Sequence, residues 1–570
     1  MRSMRVVPDD RKFVIADQEC YGEGLNCPNP RGWYHSVGNV VSTPEGLVAV
    51  YRLSDSHSAV STHIMVAYSS SGGRTWHGHR SISHRNVWQH QSVWVAPQLS
   101  RLRDGRLVII CDMGHRASGD DWPRLAFWQR PPRGMANFLL WSDDHGRTWS
   151  EPVQCDDVGG EPGYVVDLSD GTLVYTRSEP IETDVFESPP PPGYNLYYRN
   201  TAVFSDDGGK SWDRTATVSD DPYHGDSEVG IVELEPGHLL AVTRIGFGNG
   251  CFGQPSRFIH SYDNGRKWEE PILAPFYGQR TAVHKLRSGK LLVTYRNRWG
   301  TFASYAFIWD PAEKLGYEPA SFIWDESRCF LDGGHLTLTT DCRPEDQVFF
   351  SLYPALTSGA RVEMEAELRL ADQSSGGCDL FAGCRVRITP QEICVTQSSQ
   401  EEAAIHSTTG SPGNGNDSPS LPAYHIPLDA TQWHRYKIVR SEGEIAVYVD
   451  DRLLLQEAAN ISGARLVRFG SNLPGVSLWR SVNASVENPG SHSVDWSWRA
   501  DSGTYPDQFR RARMVRLDAT ADSGYSNWDQ MEDGTVIIAD YTNDQFRDAN
   551  WTSAAQPIIK AYIVSEEELT

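Results

Sequence analysis

Side chains able to transfer protons or bind anions recur at the ends of short β-type segments that flank a turn glycine. Glu228 begins the segment before Gly237, and Arg244 ends the segment after it. Tyr525 precedes another such glycine, Gly534. A carboxylate can accept a proton, and a guanidinium group can bind an anion through two hydrogen bonds. A phenol, with a pKa of about 10, becomes a nucleophile at neutral pH only beside a base. These residue types indicate acid–base or covalent chemistry on a polar or anionic ligand.

The turn glycine recurs six times, each time between two apolar β-type segments such as KLRSGKLLVTYR, at Gly46, Gly105, Gly171, Gly237, Gly289 and Gly534. The first five lie 52 to 66 residues apart, and the last follows after 245 residues. A propeller blade of about 60 residues explains the short intervals, and one blade plus roughly 185 inserted residues explains the long one. The sequence therefore predicts an all-β fold with about six four-stranded blades. The terminal segments RKFVIAD and PIIKAYIVS together would complete one blade.

A second motif, of the form Ser-x-Asp-x-Gly-x-Thr-Trp, recurs four times, at residues 69–76, 142–149, 205–212 and 261–268. Its Asp, Asn and Gly residues favour a tight turn between two strands. The motif resembles the Asp box, or BNR repeat, of the sialidase (neuraminidase) superfamily, where it lies at the periphery of a propeller blade and has no catalytic role. The first copy departs from the pattern, because Ser71 stands in place of the acid.

Residues 326–495 have the short alternating strands of an antiparallel β-sandwich of jelly-roll type. The segment TQWHRYKIVRSEGEIAVYVDDRLLL resembles the strand pair of laminin-G and concanavalin-like lectin modules. We therefore expect residues 1–325 to form blades one to five, residues 326–495 an inserted lectin-like domain, and residues 496–570 the final blade and the closure of the ring. Such an insert would either bind sugar or pack against the ring and shape its rim.

The resemblance to sialidases implies roles for the residues at the predicted channel mouth. Tyr525 would be the nucleophile, and Glu228 would take its proton. Arg244 would be one of three arginines that bind the substrate carboxylate, and a second would be Arg296 or Arg298, between which the spacing does not decide. Asp55 lies in the segment where the family carries its general acid.

The first blade departs from the family pattern. Sialidases begin with an Arg-Ile-Pro strand, whereas this chain has Trp33-Tyr34-His35, so His35 stands where the first carboxylate-binding arginine is expected. Arg52 would partly replace that arginine. Because an imidazole cannot form the two parallel hydrogen bonds of a guanidinium group, the substrate would be another anionic or a neutral terminal sugar rather than sialic acid. The resemblance thus implies an exo-acting glycoside hydrolase that retains the anomeric configuration.

Two other functions are compatible with the same residues. Propeller lyases that act on uronates use a His or Tyr base, and His90, His115, Tyr164 and Arg177 flank the second and third inner hairpins. A His, with a pKa of about 6.5, suits abstraction of the proton next to a neutralised carboxylate, so these residues would support β-elimination of a glycosyl-uronate. A propeller that binds glycans without catalysis is the third candidate.

Composition excludes several classes of partner. The formal net charge of −22 argues against nucleic acid and against an anionic membrane surface, which both bind clustered Lys and Arg. The first residues, MRSMRVVPDDRK, lack the apolar core of a signal peptide, which predicts a cytoplasmic protein as the sequence stands, and a secreted or periplasmic one if a signal was removed. The expected partner is an oligosaccharide or glycoconjugate. No metal site or cofactor is predicted, a structural calcium ion has no support in the sequence, and nothing indicates the oligomeric state.

Overall fold

The computed structural model describes most of the chain, and its regular structure is almost entirely β. The described residues are 5–21, 25, 27–29, 31–57, 59–115, 135–183, 196–244, 254–297, 303–323, 325–341, 347–353, 356–397, 423–441, 443–458, 466–518, 523–543 and 556–570. Short helices punctuate the strands: α-helices span Val87–His90, Gln508–Arg513 and Glu566–Leu569, and 3₁₀ turns span Asp9–Arg11, Gln18–Cys20, Glu326–Arg328 and Ala500–Ser502. No helix among these residues is long and apolar enough to cross a lipid bilayer.

The chain begins with two short strands, β1 (Arg5–Val6) and β2 (Lys12–Ala16), and then builds four sheets in succession. Blade 1 contains β3 (Tyr34–Thr43), β4 (Gly46–Ser54), β5 (Ser61–Ser69) and β6 (His77–Asn86). Blade 2 contains β7 (Ser92–Trp94), β8 (Gln98–Arg101), β9 (Leu107–His115), β10 (Ala136–Ser142) and β11 (Val153–Asp156). Blade 3 contains β12 (Val166–Asp167), β13 (Leu173–Glu182), β14 (Leu196–Ser205) and β15 (Arg214–Ser219). Blade 4 contains β16 (Ser227–Glu235), β17 (His238–Arg244), β18 (Arg257–Ser261) and β19 (Ile272–Leu273).

Blade 5 begins with β20 (Gly278–Lys285), β21 (Leu291–Asn297) and β22 (Ala303–Trp309). Two further sheets follow, built from β23 (Ala320–Ile323), β24 (Cys329–Asp332), β25 (His335–Thr340), β26 (Val348–Tyr353), β27 (Arg361–Leu370), β28 (Cys378–Ala382), β29 (Arg385–Ile388), β30 (Glu392–Thr396), β31 (Tyr424–Pro427), β32 (His434–Ser441), β33 (Glu444–Val449), β34 (Arg452–Ala458), β35 (Val467–Ser471), β36 (Gly475–Glu487) and β37 (Val494–Arg499). The chain then returns to the ring with β38 (Val515–Arg516), β39 (Ser523–Gln530), β40 (Val536–Thr542) and β41 (Ile558–Val564).

Six of the sheets form a six-bladed β-propeller, as the six turn glycines predict. Each turn glycine joins the two inner strands of a blade and has a positive φ, between 84° and 122°, which glycine adopts without steric cost. The sixth blade is closed by both ends of the chain, because β2 pairs antiparallel with β41 in the register Lys12↔Tyr562. This pairing joins the two ends of the chain in one sheet and so closes the ring.

The insertion interrupts blade 5 rather than separating two complete blades. Its strands run from β23 to β37, and the chain then supplies β38, which pairs with β22 as the fourth strand of that blade. The inserted strands form a seven-stranded and an eight-stranded antiparallel sheet. Their inner faces enclose one hydrophobic core that includes Phe350, Phe469 and Trp479. The two sheets therefore form a β-sandwich, and its likeness to lectin modules stays a prediction.

The four Asp boxes lie at the turns between the third and fourth strands of blades 1 to 4, away from the inner strands. In the second copy, Asp144 accepts hydrogen bonds from the Thr148 amide at 2.8 Å and from the Thr148 hydroxyl at 2.6 Å. In the first copy the hydroxyl of Ser71 accepts from the Thr75 amide at 2.8 Å. Ser71 Oγ also lies 2.8 Å from Thr75 Oγ1 and 3.2 Å from Ser69 Oγ, so one neutral oxygen makes the contacts that two carboxylate oxygens make in the second copy.

Substitution of Asp144 by Ala tests this peripheral role. The variant leaves the Thr148 amide without its acceptor, so we expect the free energy of unfolding to fall by about 1 kcal/mol, with no change at the inner strands. The opposite change, Ser71→Asp, supplies a second, charged acceptor oxygen and should raise stability by a few tenths of a kcal/mol, on the order of a single exposed hydrogen bond. Denaturant unfolding measures both values. Equal loss of stability in both variants would contradict this account.

Candidate active site at the channel mouth

Five of the six blades carry the same backbone irregularity at the start of the inner hairpin. The pairs that mark it are Ser36↔Arg52, Gly160↔Ser178, Ser227↔Arg244, Gln279↔Arg296 and Gly524↔Tyr541. The next residue in each blade has a positive φ, at Val37 (58°), Glu161 (49°), Glu228 (44°), Arg280 (48°) and Tyr525 (58°). A β-bulge of this kind re-aims a side chain. Equivalent positions on a ring of blades therefore gather these side chains at one end of the central channel.

A positive φ is unfavourable for residues other than glycine, and such strain is typical of functional sites. Neighbouring side chains hold the bulged backbone in place. The Glu161 amide donates to Asp112 Oδ2 at 3.0 Å, and the Glu228 amide donates to Ser178 Oγ at 3.3 Å. In blade 6 the Gly524 amide donates to Asp540 Oδ1 at 3.0 Å. Each of these supports comes from the second strand of a blade.

Three arginines occupy the same register position on the second strands of blades 1, 4 and 5. They are Arg52, Arg244 and Arg296, each opposite the residue that precedes a bulge. Each is only 6% exposed. Arg298, the alternative to Arg296, lies outside the described residues. The shared register thus places three arginines at the same end of the inner hairpins, and a fourth, Arg280, occupies a bulge position there.

Glu228 lies at the centre of this charge cluster. Its Oε2 is 2.6 Å from Arg244 Nη1, and its Oε1 is 3.8 Å from Arg280 Nη1. Burial alone would raise the pKa of Glu228, but the positive charges of Arg244 and Arg280 and a hydrogen bond from Tyr525 outweigh it, so the pKa lies below its ordinary value. The carboxylate is therefore ionised at neutral pH.

Tyr525 reaches the same cluster from blade 6 and stays partly exposed. The guanidinium carbon of Arg280 lies 5.5 Å from the centroid of its ring. Burial and the negative charge of Glu228 raise the pKa of the Tyr525 phenol, while Arg244 opposes that shift. The phenol is therefore neutral, with an ionised carboxylate beside it that can accept its proton.

Glu161 and Arg280 belong to this cluster, although sequence analysis did not single them out. Burial and the charge of Glu228 raise the pKa of Glu161 to about 7, while Arg244 lowers it. A sequence signal for them exists: Glu228, Arg280 and Tyr525 all stand nine residues before their turn glycines, and Glu161 stands ten before its own.

Asp55, the predicted acid, and His35, which stands in place of the first arginine, both have protein partners. Asp55 Oδ1 accepts the amides of Val60 at 2.9 Å and Ser61 at 3.0 Å, so this carboxylate organises the loop after β4. His35 is fully buried, with Nδ1 2.7 Å from the Pro557 carbonyl and Nε2 2.9 Å from the Tyr21 hydroxyl. Burial lowers the pKa of His35 to about 4. Since both ring nitrogens have protein partners, the imidazole has no nitrogen left for the substrate.

The residues proposed for a lyase lie on or beside the inner strands of blades 2 and 3. His90 is exposed at the end of a short helix, and His115 ends β9 opposite Ser92. Arg177 pairs with Glu179 at 2.8 Å and with Asp156 at 3.5 Å. Arg177 is thus already paired with two carboxylates, and β-elimination by this set of residues stays a prediction.

Tyr164 lies inside the channel and ties blade 3 to blade 5. Its hydroxyl donates to the Val283 carbonyl at 2.5 Å and accepts from the Val283 amide at 2.9 Å. Its ring packs against His284, which contacts Asn527 Oδ1 at 2.8 Å, and Asn527 in turn donates to Asn39 Oδ1 at 3.2 Å. These side chains fill the channel below the mouth and fix the inner strands relative to one another.

The variant Tyr164→Phe tests this structural role. It leaves the buried amide and carbonyl of Val283 without a partner, which we expect to lower the free energy of unfolding by about 1 to 3 kcal/mol. Tyr262→Phe is the matched control, because Tyr262 is 64% exposed and its variant should stay within about 0.5 kcal/mol of the parent. Thermal and denaturant unfolding measure both. A Tyr164→Phe variant as stable as the control would show that the channel contact contributes nothing.

The match to one protein-family model agrees with this architecture. Residues 45–304 match the model of the BNR repeat-like domain, and no curated protein sequence matches the chain.

Among solved structures, a protein of unknown function from Dyadobacter fermentans is 15% identical over 60% of this chain and 94% of its own, with a TM-score of 0.42. Trypanosoma rangeli sialidase is 12% identical over 84% of this chain and 94% of its own, with a TM-score of 0.35. Xylan β-1,4-xylosidase from Bacillus halodurans is 11% identical over 78% of this chain and 97% of its own, with a TM-score of 0.33. Residues 45–304 thus match a BNR repeat-like domain, and the chain folds as a six-bladed β-propeller.

Proposed function

We propose that this protein is an exo-acting glycoside hydrolase that removes a terminal acidic sugar with retention of configuration. The observation that carries the proposal is the pair formed by Tyr525 and Glu228 at the channel mouth, with Arg244 and Arg280 beside the carboxylate. A neutral phenol next to an ionised carboxylate is the arrangement that a tyrosine nucleophile requires. The BNR repeats in the same propeller support the assignment to carbohydrate chemistry.

In the first step, the Tyr525 oxygen attacks the anomeric carbon while Glu228 takes the phenolic proton. The bond to the leaving oxygen breaks, and that oxygen must be protonated by an acid. In the second step, water attacks the anomeric carbon and its proton passes to the conjugate base of that acid, while the bond to Tyr525 breaks and Glu228 returns its proton to the phenolate. A phenol carries no charge before reaction, so it does not repel an anionic substrate as a carboxylate nucleophile would.

The charge balance at the mouth favours an anionic substrate. Arg52, Arg244, Arg280 and Arg296 contribute four positive charges. Glu228 is ionised, but burial holds the pKa of Asp540 at about 7, as it does for Glu161, so these carboxyl groups are only partly ionised at neutral pH. The remaining positive charge suits a carboxylate on the sugar, because arginine binds carboxylates through paired hydrogen bonds.

Hydrolysis of fluorogenic glycosides tests this function. The panel comprises 4-methylumbelliferyl glycosides of N-acetylneuraminic acid, 3-deoxy-octulosonic acid and glucuronic acid, with neutral hexosides as the comparison. We expect turnover of at least one acidic glycoside by the parent. Tyr525→Phe and Glu228→Gln should lower kcat/KM on the order of 1,000-fold or more, because each removes a group that acts in the same step.

Three outcomes would contradict this proposal. A Tyr525→Phe variant within a few-fold of the parent would contradict the nucleophile assignment. Acidic oligosaccharides that yield an unsaturated product, seen by absorbance near 235 nm without new reducing ends from hydrolysis, would indicate a lyase. Saturable binding of the same sugars with no product from any of them would indicate a glycan-binding propeller.

Gly524 provides a separate test of the arginine positions. A Cβ added to Gly524 would lie 2.7 Å from Arg296 Cδ, whereas a Cβ added to Gly534 would meet nothing within 4 Å. Both glycines have a positive φ, so Gly524→Ala and Gly534→Ala should both lose about 1 to 2 kcal/mol of stability. Only Gly524→Ala displaces Arg296, and we expect it alone to raise KM for the acidic glycoside. Equal KM values in the two variants would show that Arg296 does not contact the substrate.

A further inference from the structure

Glu161 occupies the mouth from the blade opposite the nucleophile. In a ring of six, blade 3 faces blade 6, so the bulge at Glu161 lies across the channel from the bulge at Tyr525. The two groups are close enough for the charge of Glu161 to affect the Tyr525 phenol. In a retaining glycosidase the nucleophile and the proton donor act from opposite sides of the scissile bond. Glu161 is therefore placed on the side where the leaving group would depart.

The side chain of Glu161 is available for such a role. Its backbone is fixed through the bond from its amide to Asp112, and Asp112 Oδ1 also accepts the Ala96 amide at 2.8 Å. Its Oε2 is buried and has no hydrogen-bond partner among the described residues. The residue as a whole stays partly exposed. A buried carboxyl oxygen without a partner is costly, unless a ligand completes its hydrogen bonding.

We propose that Glu161, rather than Asp55, protonates the leaving oxygen during glycoside cleavage. The inference rests on the proposed hydrolase function and adds the identity of the acid. Asp55 already uses Oδ1 to bind the two loop amides of Val60 and Ser61, whereas Glu161 contributes no side-chain hydrogen bond to the described fold.

The proton balance closes with two glutamates. When Tyr525 attacks, its proton passes to Glu228, the glycosidic C–O bond breaks, and the Glu161 proton passes to the departing oxygen. When water then attacks the anomeric carbon, its proton passes to the Glu161 carboxylate. The bond between Tyr525 and the sugar breaks, and the proton on Glu228 returns to the phenolate. Both glutamates end in their starting states.

The surroundings of Glu161 match the requirement for an acid that is protonated near neutral pH. The groups that face it are Glu228 of β16, Arg244 of β17, Asp112 of β9, Arg280 of β20, Tyr198 of β14 and Tyr525 of β39. Because Glu161 must be protonated to donate, kcat/KM should fall as the pH rises through about 7, the pKa of its carboxyl group.

Leaving-group dependence tests the proposal. The probes are two glycosides of the sugar that the parent hydrolyses, one with 4-methylumbelliferone and one with methanol as the leaving group. A phenol of low pKa departs without acid assistance, whereas methanol does not. We expect Glu161→Gln to lower kcat/KM on the methyl glycoside at least about 100-fold more than on the aryl glycoside, and to remove the fall in kcat/KM above pH 7. Asp55→Asn, the matched variant, should change both substrates by the same factor.

A second measurement separates catalysis from folding. Glu161→Ala in the presence of sodium azide should produce the glycosyl azide, because azide can attack the glycosyl-tyrosine without base assistance. Equal losses on both glycosides with no glycosyl azide, or a leaving-group dependence in Asp55→Asn, would overturn the role of Glu161 while leaving Tyr525 and Glu228 in place. A Tyr525→Phe variant with full activity would instead overturn the hydrolase mechanism on which the role depends.

Discussion

The site depends on a backbone constraint: the inner hairpin of five blades begins with a residue forced into the left-handed region. The constraint is maintained by the ring itself. Asp112 and Ser178 hold the bulges of the following blades, and Tyr164 anchors blade 3 to the inner strand of blade 5. Because the bulge recurs at the same register, residues hundreds of positions apart in the chain, such as Glu161 and Tyr525, point toward one volume. The strain is distributed over a closed and well-packed structure, which is the condition under which it persists.

The electrostatics at the mouth shift the pKa values of Glu228 and Glu161 in opposite directions, although the two side chains are chemically identical. Glu228 pairs with Arg244 at 2.6 Å and is ionised, whereas Glu161 has an unpartnered oxygen and a pKa of about 7. The charge on Glu228 also raises the pKa of Glu161, because it makes ionisation of a second carboxyl group less favourable. Environments that move the pKa values of two carboxyl groups apart are typical of acid and base pairs in enzymes. The same separation explains how Glu228 can accept a proton from Tyr525 while Glu161 still carries one.

The repetitive parts of the fold could be predicted from the sequence, because turn glycines and Asp boxes are local and each reports on one hairpin. The pairing of β2 with β41 and the presence of six blades follow from such signals. Other features depend on contacts that a local pattern does not contain. The insertion enters blade 5 before its last strand, which two residues at Val515–Arg516 supply. His35 lies in the expected strand, but its two ring nitrogens are taken by Pro557 and Tyr21, which are distant in sequence. Glu161 and Arg280 were not recognised, because a bulge position is defined by cross-strand register rather than by residue type.

The most direct test of the account is to trap the covalent intermediate. A sugar with fluorine next to the anomeric carbon and fluoride as the leaving group, such as 2,3-difluorosialic acid or the matching analogue of the sugar that is turned over, forms the glycosyl-enzyme faster than water removes it. The account predicts that the intact protein gains the mass of one fluorinated glycosyl residue, that the modification maps to the peptide containing Tyr525, and that Tyr525→Phe gains nothing. Hydrolysis with an adduct on a different side chain, or with inversion of the anomeric configuration, would contradict it.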